Sequence, residues 1–110
     1  MSIEAQVRAK SELSTDELLI ELGHSVGMFE APPTDEVAKN EGIRWLDRHI
    51  DQFKSVVCVP VVKQVLNQTD SFALSISVGQ ALANSFGDSG AATVALLLVR
   101  RGINRLCGWS

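Results

Sequence analysis

Apolar residues recur at helical spacing along most of the chain. Leu18, Leu22, Val26 and Phe29 share one stripe behind Ser14-Thr15-Asp16-Glu17, where a Ser stands three residues before a Glu as in a capping box. This predicts a helix from Thr15 to Phe29. Ala31-Pro32-Pro33 should end it, because a residue before proline is pushed out of the α region and proline cannot donate to a continuing helix. Thr34 is then placed to cap the next helix, with Asp35 and Glu36 where the helix dipole favours negative charge. That helix carries the clearest pattern in the chain: Ile43, Leu46, Ile50, Phe53 and Val57 at spacings of 3, 4, 3 and 4, with Arg44, Asp47, Arg48, Asp51 and Lys54 on the other side. It is expected to run unbroken to Val57, one face buried and the other wet.

The second half reads less simply. Ser55 to Val62 is β-branched and suits a short strand, although Pro60 could start a helix reaching Leu66. Phe72, Leu74, Ile76 and Val78 alternate with small or polar residues, another strand signal; yet Asp70 is a natural cap, and Phe72, Ile76, Gly79, Ala83 and Phe86 also form a helical stripe. The turn Gly87-Asp88-Ser89-Gly90, with Asp88 or Ser89 as cap, introduces a last helix from Ala91 to Leu106 that Gly108 ends. Its first half is apolar all round, as befits a helix through the middle of a bundle.

Charge sharpens this picture. Residues 1–55 hold eleven acids and six bases, and residues 56–110 two acids and four bases, so the net charge of −3 divides into −5 and +2. From Ser71 to Val99 the one charged residue is Asp88, so this stretch must be covered by protein, with the first half as the expected cover. With 45% hydrophobic and 21% charged residues, the 110-residue chain is expected to form a single domain over residues 1–110 rather than a disordered segment. The longest apolar run, Val94 to Val99, is six residues, against about 20 for a membrane span. Cys58 and Cys107 stand apart, without a CxxC pattern, and Met1 to Ser14 lacks an apolar export segment, which together suggest free thiols in the cytoplasm.

Candidate chemistry is sparse. Gly87-Asp88-Ser89-Gly90 resembles the segment around the nucleophile of trypsin-like serine proteases, over four residues. That resemblance would imply two β-barrels and a histidine in an Ala-Ala-His-Cys context, which neither His24 nor His49 has, so the hydroxyl has no visible base. The histidines belong to different helices with no HExxH or HxxxH pair, and a metal would need Cys58 or Cys107 to join them. His49 is expected beside Trp45, bonding a backbone carbonyl, and His24 on a helix border. Asp47 and Asp51 sit among Arg44, Arg48 and Lys54, which makes a solvated charged face the simpler reading of that pair. Gly23 and Gly27 form a GxxxG spacing that in water signals tight packing on a neighbour, and no phosphate-loop glycine pattern occurs.

The basic concentration is Arg100, Arg101 and Arg105, with Lys63 as a candidate fourth member, and Arg101 and Arg105 are expected to share a helix face. It suits the helix dipole, or else an acidic partner or a phosphate backbone. Six aromatics and no tyrosine leave little to stack on bases.

These observations predict an all-α bundle of four to six helices, with the last two near the centre and the Thr34–Val57 helix across them. The runner-up is α/β, with short strands near 56–62 and 72–78. For function they predict a non-catalytic protein-interaction, adaptor or regulatory module, self-associating or docked to a larger protein, without cofactor or metal. Arg100, Arg101, Arg105 and Trp109 are its candidate partner-binding residues. A small nucleic-acid-binding regulator, disfavoured by the net acidity, is the alternative, and a metal- or thiol-dependent enzyme the third reading.

Overall fold

The computed structural model describes residues 2–67 and 70–109. Among these residues it contains eight helices and no strand: α1 (Ile3–Lys10), α2 (Thr15–Val26), α3 (Asp35–Arg48), α4 (Ile50–Val57), α5 (Pro60–Leu66), α6 (Ser71–Phe86), α7 (Ala91–Arg101) and α8 (Ile103–Cys107). The β-branched run at 56–62 and the alternation at 72–78 are therefore helical. Pro60 opens α5 at its first turn, and Asp70 caps α6 by accepting from the Phe72 and Ala73 amides at 3.0 and 3.3 Å.

Caps set the starts of the early helices. The Glu17 amide donates to Ser14 Oγ at 3.0 Å while the Ser14 amide donates to Glu17 Oε1 at 3.0 Å, a complete capping box. The Val37 amide donates to Thr34 Oγ1 at 3.2 Å at the head of α3. α2 ends at Val26, before the expected Phe29, because Gly27 turns extended and the Phe29 ring folds into the space a side chain on Gly27 would need.

The helix count exceeds four to six for three reasons. α1, capped by Ser2 and buried through Ile3 and Val7, was not foreseen. The Thr34–Val57 helix breaks at His49, whose backbone leaves the helical region (φ −104°, ψ 6°) while its ring nitrogen Nδ1 lies 2.8 Å from the Trp45 carbonyl. The last helix breaks at Gly102, whose φ of +107° lies where side-chain-bearing residues rarely go, so Arg101 and Arg105 sit on different helices.

α7 is the axis of the bundle. Every residue from Ala91 to Leu98 is buried, and the helix is flanked chiefly by α6, α1, α2 and α8. The charged helix expected across it divides its work: α3 lies mainly on α2, and α4 on α6. α2 and α3 run antiparallel in backbone contact. A Cβ built on Gly23 would stand 1.7 Å from the Ala38 carbonyl oxygen, and one on Gly42 2.3 Å from that of Leu19.

The cysteines are not free. Cys58, at the end of α4, and Cys107, at the end of α8, form a disulfide with Cα atoms 5.4 Å apart, across 49 residues of sequence. Sequence distance hid the pairing; the α7–α8 bend at Gly102 brings it about.

Candidate functional site

Trp45 on α3, His49 at the break and Phe53 on α4 follow one another at four-residue spacing, with Trp45–His49 centroids 4.4 Å apart and Trp45–Phe53 5.7 Å apart. Phe86, the last residue of α6, meets Phe53 edge-on at 5.8 Å. Trp45, Phe53 and Phe86 line a recess of about 50 Å³ closed by the Gly87–Gly90 turn and the head of α7. Phe53 is buried, Trp45 half-buried, and Phe86 52% exposed. The recess is lined mainly by apolar side chains, and an aromatic ring at its mouth remains wet. His49 takes the place expected of it, beside Trp45 and bonded to its carbonyl.

The same turn borders a polar cleft. Ser89 and Gly90 also line a space of about 200 Å³ with Lys10, Glu21, Leu22, Ser25 and Thr93. Lys10 Nζ pairs with Glu21 Oε1 and donates to Thr93 Oγ1 at 2.9 Å, while the Thr93 hydroxyl donates to Glu21 at 3.1 Å. Thr93 is buried, so its hydroxyl needed partners, and this trio supplies them. A Thr beside a Lys invites a nucleophile–base reading, but the ammonium is neutralised by Glu21 and a base must be free to take a proton. The arrangement ties α1, α2 and α7 together.

The predicted basic site is dispersed. Arg100 donates to the Ser11 carbonyl at 3.1 Å and to Thr15 Oγ1 at 3.3 Å, pinning the α1–α2 turn. Arg101 pairs with Asp47 at 2.9 Å. Arg105 is exposed on α8. Trp109 packs against the core with the Lys63 ammonium 5.6 Å from its ring centre, rather than standing out as an anchor. The turn at 87–90 also differs from expectation: neither the Asp88 nor the Ser89 side chain caps α7. Its N-cap is Gly90, and the Ala91 amide donates to the Asp88 backbone carbonyl at 3.3 Å.

No group of three or more His, Cys, Asp and Glu among the described residues is placed to hold a metal. No helix among them is long and apolar enough to cross a membrane. Sequence reasoning placed Phe86 on an internal stripe; the missed signal was its position directly before Gly87, where a helix ends and its last side chains lose their cover. No protein-family model, curated protein or solved structure matches the chain.

Proposed function

We propose that the chain is a non-catalytic protein-interaction module, an adaptor or regulatory unit, which receives an apolar side chain of a protein partner beside Phe86. The observation that carries this reading is the half-exposed Phe86 ring at the mouth of a recess backed by Trp45 and Phe53. Aromatic residues are enriched at interfaces because a rigid ring buries a large area at low entropic cost, and the strongest anchors fill small preformed pockets. The basic residues of α7 support the alternative, nucleic-acid binding, less well, since Arg100 and Arg101 are engaged within the fold.

The disulfide bears on where such a module works. Cystines persist in oxidising settings and are rare in the cytosol, so an oxidising setting replaces, in this proposal, the cytoplasmic placement read from isolated cysteines.

Light scattering and affinity capture with wild-type chain and Phe86→Asp test the function. A complex or self-association lost in Phe86→Asp, with the circular dichroism spectrum unchanged, supports it. A wild-type chain that stays strictly monomeric at high concentration and retains no protein counts against it.

A further inference from the structure

On α2 the core face is Leu18, Leu19, Leu22 and Gly23, with Val26 packed against the same core, yet Ile20 stands to the other side of the helix. Ile20 is only partly covered and does not belong to the apolar core cluster. Its neighbours along that face are Glu17, Glu21 and His24, at i−3, i+1 and i+4. Together with Leu13, which precedes α2, and Asp35, at the start of α3, they line a shallow groove of about 460 Å³. The floor is apolar and the charges on the rim are carboxylates.

The surroundings reinforce this sign. Residues 12–36 contain seven acids and no Lys or Arg. Two cations reach in from outside and compensate two of these acids, Lys10 pairing with Glu21 and Lys39 with Asp16 at 3.3 Å, which leaves Glu17 and Asp35 to carry the groove's negative charge. Glu17 remains solvent-exposed while its carboxylate accepts from the Ser14 amide, and that bond holds its pKa below the ordinary carboxylate value, so it stays negative.

We propose that this groove is a second docking surface, distinct from the aromatic recess, and that its occupant is a basic amphipathic segment of a protein partner. Such a segment would lay an aliphatic anchor over Ile20 and Leu13 and place Lys or Arg side chains against Glu17 and Asp35, the rim carboxylates that Lys10 does not engage. Charge complementarity selects this occupant over a second copy: two such grooves repel each other, and the arginines that end α7 are already bonded to Ser11, Thr15 and Asp47. Bivalent use of the two surfaces is what an adaptor requires, but the groove stands or falls independently of Phe86.

The probe is an amidated helical peptide of about 15 residues with leucines on one face and lysines flanking them, compared with a scrambled peptide of the same composition and a glutamate-for-lysine version. Binding is followed by calorimetry and by amide chemical shifts of the full chain. The lysine peptide is expected to bind and to shift residues 13–24 and Asp35, with Ile20→Ser weakening it about tenfold, the loss from about 1.4 kcal/mol of apolar contact. Asp35→Asn, which leaves the Thr34 cap in place, should weaken it about threefold at low salt and less at high salt. Phe86→Ser should leave it unchanged, which separates this result from the fate of the recess. Equal binding of the scrambled peptide, shifts centred elsewhere, no binding, or a chain that dimerises through the groove would each overturn the proposal.

Discussion

A single methyl group added at Gly23 should loosen the α2–α3 pair more than any surface change of equal size. In Gly23→Ala the new Cβ falls 1.7 Å from the Ala38 carbonyl oxygen and 2.5 Å from its carbon. A comfortable C···O separation is about 3.3 Å, so the helices must part by about 1.6 Å. The obstacle is backbone, so no rotamer change relieves it. Overpacking costs up to about 3 kcal/mol, and the better helix propensity of Ala returns about 1 kcal/mol, leaving a net loss of about 2 kcal/mol. For a chain of 110 residues that lowers the melting temperature by about 9 °C, taking the average unfolding entropy per residue. Gly42→Ala strains the same seam from the other side, since its Cβ would meet the Leu19 carbonyl oxygen at 2.3 Å. Once one methyl has separated the helices the second meets less resistance, so the double variant should lose less than the sum of the singles by at least about 0.5 kcal/mol. Urea unfolding followed by circular dichroism measures all three, with exposed Asn40→Ala on α3 as the propensity control. A neutral or stabilising Gly23→Ala, or strict additivity with Gly42→Ala, would refute the backbone contact.

Other outcomes follow from single features. Cys58→Ser with Cys107→Ser opens a loop of 49 residues, and the chain-entropy relation puts the loss at about 4 kcal/mol, readable as an earlier urea midpoint at similar slope. Thr93→Val keeps the shape of a buried residue but removes the hydroxyl between Lys10 and Glu21, and about 1 kcal/mol of stability should go with it in the same assay. The Glu17 carboxyl titrates below its ordinary value because the Ser14 amide bonds its charged form. Its contribution is therefore present above the unfolded value of about 4.3 and lost as pH falls through the lower folded value. Carboxyl NMR should show the depressed titration, and Ser14→Pro, which removes that amide, should return Glu17 toward ordinary behaviour.

Much of the architecture was legible because caps and buried stripes are local signals. Ser14 with Glu17, Thr34 and Asp70 each mark a helix start within the residues that make the hydrogen bond. The charge-free stretch around Val94 announced a buried helix, and α7 is one. The breaks were hidden because the stripe Ile43 to Val57 continues across His49, where only the backbone angles mark the end of α3, and because Gly102 differs from a tolerated helical glycine only in its φ. α1 escaped notice since only Ile3 and Val7 mark its inner face. The groove was written in the sequence as one isoleucine among acids, a signal that stays silent until the core face of α2 is known. The aromatic recess depends on Phe86 meeting Phe53 across 33 positions, a proximity that no periodicity encodes.

The cystine also changes what kind of object the polypeptide is. Between Cys58 and Cys107 the main chain closes into a covalent ring that contains the whole of α7. A single peptide cleavage inside that ring leaves one molecule of unchanged mass but for a water, which separates into fragments only after reduction. A molecular motor pulling on the N-terminal side would meet a doubled strand at Cys58 and could not draw the ring through a pore sized for one extended chain until the sulfur–sulfur bond was cut.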